Sequence, residues 1–302
     1  MSYKCWCVSG AVATAAIAFI LAGPSTGVAQ ETAAGCPAEP QAFHKCALEK
    51  ARTFNPPRLP DGTPDFRGFW DSLTNGAPWD FEPRKGEPPL APPSTGLRVD
   101  GTDRKIPYQP RALAERNAVA SKKFDDGAVH CARMTIPRTN ITYGNRPFQI
   151  TQPPGYVVFL YENYHDYSIV PLDRRPHLPE SIKLWHPHGV GRWEGNTLVV
   201  DYANFNGKQW MDQSGNFQTE HTHIVERYTM VDRDTIHFEA TIDDPTIYTQ
   251  PWTIAFALIR NKEEGHYILE YACHEGERDL EHYTEEHGKG QSDKFTEPIT
   301  KE

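Results

Sequence analysis

From Phe148 to Cys273 apolar and polar residues alternate with a period of two, the repeat of a half-buried strand. The pattern predicts strands at 148–152, 155–162, 166–172, 189–194, 197–203, 221–231, 235–242, 252–260 and 266–273. Most are separated by short turns, so sequence neighbours are expected to pair antiparallel. No helices alternate with these strands, and the expected fold is all-β: an antiparallel barrel or a strongly curved meander sheet. Two hairpins fix their own register. In VGRWEGNTLVVDYANF (190–205) the turn pair Gly195-Asn196 sets Trp193 opposite Leu198 and Gly191 opposite Val200 on one apolar face. In HTHIVERYTMVDRDTIHFEATI (221–242) a three-residue loop, Asp232–Asp234, sets Ile224 opposite Ile242, Tyr228 opposite Phe238 and Met230 opposite Ile236. That register leaves Glu226 on the apolar face, opposite Ala240, and sets Arg227 against Glu239 on the other.

Upstream the pattern is different. Residues 38–52 read as weakly helical, and 58–70 as a turn-rich lead into a short strand ending in Gly-x-Trp. Residues 76–110 are too rich in proline for a helix or a central strand. Trp79, Phe81, Leu90 and Ile106 give this segment something to bury, so an extended wrap is expected. It would cover strand 155–162, which is apolar on both faces. Pro110 stands where a short helix, 111–124, would begin. The expected organisation is a leader at 1–29, a helix, proline-rich wrap and short helix at 30–125, a barrel at 126–275 and a charged tail at 276–302.

Composition adds the compartment. Lys4, the apolar run Ala11–Gly23 and the small-x-small site Gly27-Val28-Ala29 form a secretory leader, too short to span a bilayer. A secreted or periplasmic protein without membrane insertion is expected. Of six cysteines, Cys36, Cys46, Cys131 and Cys273 lie beyond the leader. In an oxidising compartment they suggest two disulfides, with Cys36–Cys46 and Cys131–Cys273 as one pairing among those open. The net charge of −9 and the lack of a basic cluster argue against nucleic acid as a partner. A small molecule is the expected partner.

The candidate chemistry centres on Glu226. A carboxylate on an otherwise apolar face has its pKa raised by burial, which poises it for proton transfer; the even alternative is a core carboxylate that hydrogen-bonds a Tyr or pairs with a buried Arg. Glu162 continues the Tyr156, Val158 and Leu160 face to the end of strand 155–162, where it is either an ordinary strand-end charge or, with that face inward, a second carboxylate in the same cavity. Asp173-Arg174-Arg175-Pro176-His177 reads first as a salt-bridged surface loop, and alternatively brings an anion anchor and an imidazole to the barrel mouth. His223 adds a group that titrates near neutral pH. The pairs His186/His188 and His221/His223 offer an alternative metal site. Against it, His221 and His223 alternate away from Glu226, and Pro187 interrupts the first pair. No metal or cofactor is favoured. HExxH, phosphate-loop and dinucleotide motifs are absent from the sequence, and GxSxG is absent beyond the leader at 1–29.

Taken together, TPDFRGFW (63–70), IPYQPRALAE (106–115), FQITQPPGYVVFLYE (148–162), VPLDRRPH (170–177), GRWEGNTLVVDYANF (191–205), HIVERY (223–228), TIDDPTIYTQPW (241–252) and LEYAC (269–273) resemble a family of secreted bacterial proteins of unknown function. The resemblance spans most of the chain and implies export, but no activity. It draws attention to Glu162, Asp173, Arg175, His177, Trp193, Glu194, His223, Glu226, Arg227 and Trp252, while His186 and His188 fall outside its pattern. The tripeptides Gly68–Trp70 and Gly191–Trp193 also resemble the first strand of lipocalin-like barrels.

The functional expectation is a cofactor-independent acid/base enzyme, a lyase, isomerase or hydratase, on a small organic or sugar-like substrate. Glu226, His223, Glu162 and His177 would be catalytic. Arg175, Asp173, Trp193 and Tyr228 would bind substrate. The alternatives are a non-enzymatic ligand-binding barrel and a metal enzyme built on His186, His188, His221 and His223.

Overall fold

The computed structural model of the chain describes residues 33–74, 80–85, 94–120, 126–141, 147–273 and 275. The expected leader and charged tail lie outside them, as do Trp79 and Leu90 of the wrap. The described residues form a nine-stranded, nearly closed antiparallel barrel with two α-helices. Helix α1 is Pro40–Ala51, strand β1 Gly68–Leu73 and helix α2 Pro110–Ala120. The barrel continues with β2 (Phe148–Thr151), β3 (Tyr156–Tyr161), β4 (Tyr167–Pro171) and β5 (His188–Glu194). It ends with β6 (Thr197–Ala203), β7 (His223–Asp232), β8 (Thr235–Asp243) and β9 (Trp252–Arg260).

The strand order is β4-β3-β2-β1-β9-β8-β7-β6-β5, every neighbouring pair antiparallel. An odd number of strands cannot alternate direction all the way round a ring. The mismatch falls between β4 and β5, which point the same way and share no ladder. Parallel neighbours cannot be joined by a hairpin, and the crossover Leu172–Pro187 does this work. The two edges still touch. A Cβ on Gly191 of β5 would lie 2.6 Å from Val170 Cγ1 and 2.8 Å from Leu172 Cδ2. Only glycine lets the seam come this close.

Both predicted hairpin registers are found, with Trp193 opposite Leu198 and Glu226 opposite Ala240. The second differs at its turn. Asp232 pairs with Thr235 around Arg233-Asp234, and a bulge between Met230 and Asp232 takes up the third loop residue.

Three expectations are corrected. Residues 266–273 form no strand, because the edge of β9 they would need is taken by β1, from Leu73 opposite Ala257 to Trp70 opposite Arg260. Those residues lie outside the sheet, held by Leu269 N–H on Glu162, Tyr271 N–H on His165 and the disulfide Cys131–Cys273. The inward face of β3 is Val157, Phe159 and Tyr161 rather than Tyr156, Val158 and Leu160. The described residues of the wrap do not cover β3 either. Its Leu97 and Val99 bond the backbone of Ala255 and Thr253, extending the β9 edge beyond β1. Tyr156, Leu160, Tyr167 and Ile169 are left exposed on the outer face.

The lumen is filled by aromatic rings. Phe159 meets Tyr228 at 5.2 Å between centroids, Tyr228 meets Phe238 at 5.1 Å and Phe238 meets Phe256 at 4.6 Å. This is a packed core of large side chains. Helix α1, closed by the disulfide Cys36–Cys46, lies on the outside of β8, and its Phe43 and Ala47 belong to a second apolar cluster with Val231 and Ala257.

Candidate active site

Among the described residues the seam is the one place where backbone bonding does not close the barrel, and polar side chains collect there. The turn after β3 passes through left-handed backbone at Tyr164 and His165 and delivers Asp166 to the start of β4. The Asp166 carboxylate is fully buried and accepts from His186 Nδ1 at 3.1 Å, from Arg133 Nε at 3.1 Å and from its neighbour's N–H at 2.8 Å. Arg133 Nη2 bonds the same carboxylate oxygen as its Nε. Burial alone would raise the Asp166 pKa, but the bonds and charges of His186 and Arg133 outweigh it and hold the group below its ordinary value. Asp166 is therefore an anion that only accepts, and His186 must carry its proton on Nδ1. His186 Nε2 is the ring nitrogen left over. It is buried and has no hydrogen-bond partner among the described residues.

Behind His186 stands a chain of polar groups reaching into the lumen. The imidazole packs 6.3 Å from the Tyr161 ring and edge-on at 6.4 Å from Tyr202. Tyr202 OH pairs with Ser168 Oγ at 3.1 Å, and Tyr161 OH donates to Asn140 Oδ1 at 3.0 Å. Asn140 Nδ2 and Tyr228 OH each donate to Glu226 at 2.7 Å. Burial pushes the Glu226 pKa up to about 8, against the two hydrogen bonds that favour its anion. Burial and the neighbouring negative groups also hold Tyr161 and Tyr202 well above the usual phenol value. In front of His186 a cleft of about 400 Å³ lies along the seam, lined by Arg133, Tyr167, Ser168, Trp185, His186 and His188 among others. Arg133 also lies over the Tyr167 ring at 5.3 Å.

The structure joins Glu226 with Tyr228 but separates both from the other sequence candidates. His223 and His177 lie on the outer face, where both donate Nε2–H to Asp201 Oδ1, at 2.7 and 2.9 Å. His177 Nδ1 faces His188 Nδ1 at 3.2 Å. The bond to Asp201 raises the His223 pKa, while burial and the charges of His177 and Arg175 lower that of His188. Neither His223 nor His177 complements Glu226 directly, because the β7 wall stands between them. Glu162 does not look into the cavity, since it follows the outward face of β3 and accepts from Leu269 N–H at 3.2 Å. Asp173 and Arg175 are spent on each other, paired through Nη2–Oδ2 at 2.6 Å and Nε–Oδ1 at 2.8 Å in an exposed loop. Trp193 packs edge-on against Phe66 at 5.3 Å as part of the core. The four histidines of the metal alternative do not converge. His186 turns to Asp166, His188 and His223 join the Asp201 network, and His221 is exposed.

Asp166, Arg133, Asn140, Tyr161 and Tyr202 escaped the sequence reading, and His186 entered it only as a metal ligand. Their one sequence signal was tyrosine at inward positions of strands, because a buried phenol needs a polar partner. No protein-family model and no curated protein matches the chain.

Proposed function

We propose that the protein is an acid/base enzyme of lyase, isomerase or hydratase type, working on a small organic molecule held in the seam cleft. The Asp166–His186 pair carries this reading: an imidazole fixed in one tautomer by a buried anion, its free nitrogen unpartnered, on a cleft wide enough for a small ligand. His186 Nε2 takes a proton from a carbon or hydroxyl of the substrate, Asp166 stabilises the imidazolium, and the same nitrogen returns the proton to a second atom. Trp185 and Tyr167 offer ring faces to a flat or sugar-like body. Glu226 is a positioning residue. Buried beneath Asn140 and Tyr161, it holds the floor on which the imidazole packs. The two disulfides and the leader-like start of the sequence support export into an oxidising compartment.

The test is wash-in of deuterium. Mixtures of small organic acids, hydroxy acids and sugars are incubated with the protein in D2O and read by mass spectrometry. A compound that gains deuterium, or is converted, with wild type but not with His186→Gln supports the reading. If every active compound is handled equally by the folded His186→Gln variant, the assignment is wrong.

A further inference from the structure

Away from the seam, three metal-ligating side chains meet beneath helix α1. His44 projects from α1, and His237 and Glu239 from the outer face of β8 directly below it. One donor atom from each of the three lies within 4.8 Å of the others. His44 Nδ1 stands 3.1 Å from His237 Nε2. The Glu239 carboxylate approaches both rings, with Oε1 3.8 Å from His44 Nδ1 and Oε2 3.6 Å from His237 Nδ1. His237 is wholly buried, and its Nδ1 has no hydrogen-bond partner among the described residues. A mutual imidazole hydrogen bond therefore leaves a buried ring nitrogen of His237 without one.

We propose that His44, His237 and Glu239 bind a divalent transition-metal ion of the zinc class, which fastens α1 to the barrel. Two imidazoles and a carboxylate are a recurrent ligand set for such ions, with water completing the tetrahedron. Donors about 2.0–2.1 Å from a tetrahedral centre stand about 3.3–3.4 Å apart, and the two facing nitrogens are already near that spacing. The groups around the site are positioned by other contacts. Phe43 meets the His237 ring at 5.7 Å in an edge contact. The Glu39 side chain caps the first turn of α1 through Ala42 N–H, Gln41 reaches the carbonyls of Val99 and Gly101, and Cys36–Cys46 closes the helix on the chain before it. The site is separate from the seam and does not rest on the acid/base reading.

The experiment uses the full disulfide-bonded chain, purified without a histidine tag and stripped with chelator. Zn2+ binding is followed by calorimetry, Co2+ binding by its visible ligand-field bands, and thermal midpoints are measured with and without Zn2+. The expected result is one equivalent bound, tetrahedral Co2+ bands and a midpoint that rises with Zn2+. His44→Ala and Glu239→Gln, both at partly exposed positions, are expected to weaken binding by more than about 100-fold and to abolish the midpoint shift. His223→Ala is expected to leave the Zn2+ affinity, the Co2+ bands and the size of the Zn2+-induced midpoint shift unchanged. No binding by wild type, or binding that survives His44→Ala and Glu239→Gln, would overturn the proposal.

Discussion

His186 Nδ1 lies 3.1 Å from Asp166 Oδ2, across the seam where the barrel edges β4 and β5 share no backbone ladder. The two residues come from opposite sides of the seam, Asp166 from the turn into β4 and His186 from the crossover into β5. Their contact ties the barrel shut and at the same time fixes the tautomer of an imidazole that faces a cleft.

Replacing Asp166 by Asn tests the second role. An amide at this position can donate to Nδ1 and turn the imidazole so that Nε2 carries the proton, which removes the base. Turnover or deuterium exchange of any substrate found by wash-in is expected to fall about 1,000-fold or more. The substitution also leaves Arg133 without its carboxylate, so the comparison is made on protein shown by circular dichroism to be folded. Unchanged exchange would remove Asp166 from the mechanism.

Glu226→Gln should separate stability from catalysis. The Glu226 pKa is raised to about 8 in the folded protein, while in the unfolded chain it is ordinary. Between those two values the folded state holds a proton that the unfolded state has lost, so stability falls as pH rises through that window and levels off above it. At about 1.4 kcal/mol per pKa unit, the effect is on the order of a few kcal/mol. Glutamine keeps the shape without the titration. Urea unfolding at pH 5 and pH 8.5 should show the variant gaining on wild type at the higher pH. Parallel behaviour would mean that Glu226 is not held protonated.

Gly191→Ala probes the seam itself. The added Cβ would meet Val170 Cγ1 at 2.6 Å and Leu172 Cδ2 at 2.8 Å, so one edge must move. Overpacking of this kind costs about 1–3 kcal/mol, read as a lower denaturation midpoint. A midpoint equal to that of wild type would show that β4 and β5 do not press together.

The outer network makes a prediction of the same direction in pH, from a stabilising bond rather than from burial. The hydrogen bond to Asp201 raises the His223 pKa above its unfolded value, so the stabilisation is complete below the unfolded pKa and is lost as pH rises through the folded one. In Asp201→Asn the His223 ring resonance should titrate at a lower pH than in wild type by NMR. An unmoved titration curve would contradict the pairing.

Much of the barrel was legible because β-strand parity is a strict rule. The register of β7 against β8 follows from keeping Ile224, Tyr228 and Met230 on one face, and it places Glu226 inside without any knowledge of the rest. The same rule cannot decide at β3, where Tyr156, Val158 and Leu160 on one face are as apolar as Val157, Phe159 and Tyr161 on the other, so the pattern leaves the side of Glu162 open. At His186-Pro187-His188 the proline ends the strand, so the two histidines do not share a face: the first turns to Asp166 and the second begins β5. Residues 266–273 look like a strand but have no free edge to join. The Asp166–His186 contact was out of reach for another reason. It joins positions 20 residues apart through a crossover without periodicity, and only the misfit of nine strands in a ring puts them together.

The most direct test of the central claim needs no substrate. Protein labelled with 15N in its histidine side chains is assigned at His186 by comparison with His186→Gln, and its ring nitrogens are read by NMR at neutral pH. The account predicts a protonated Nδ1 bonded to Asp166 and a bare Nε2, with the proton relocated to Nε2 in Asp166→Asn. A wild-type His186 protonated on Nε2 at neutral pH would contradict it, because no base would then face the cleft.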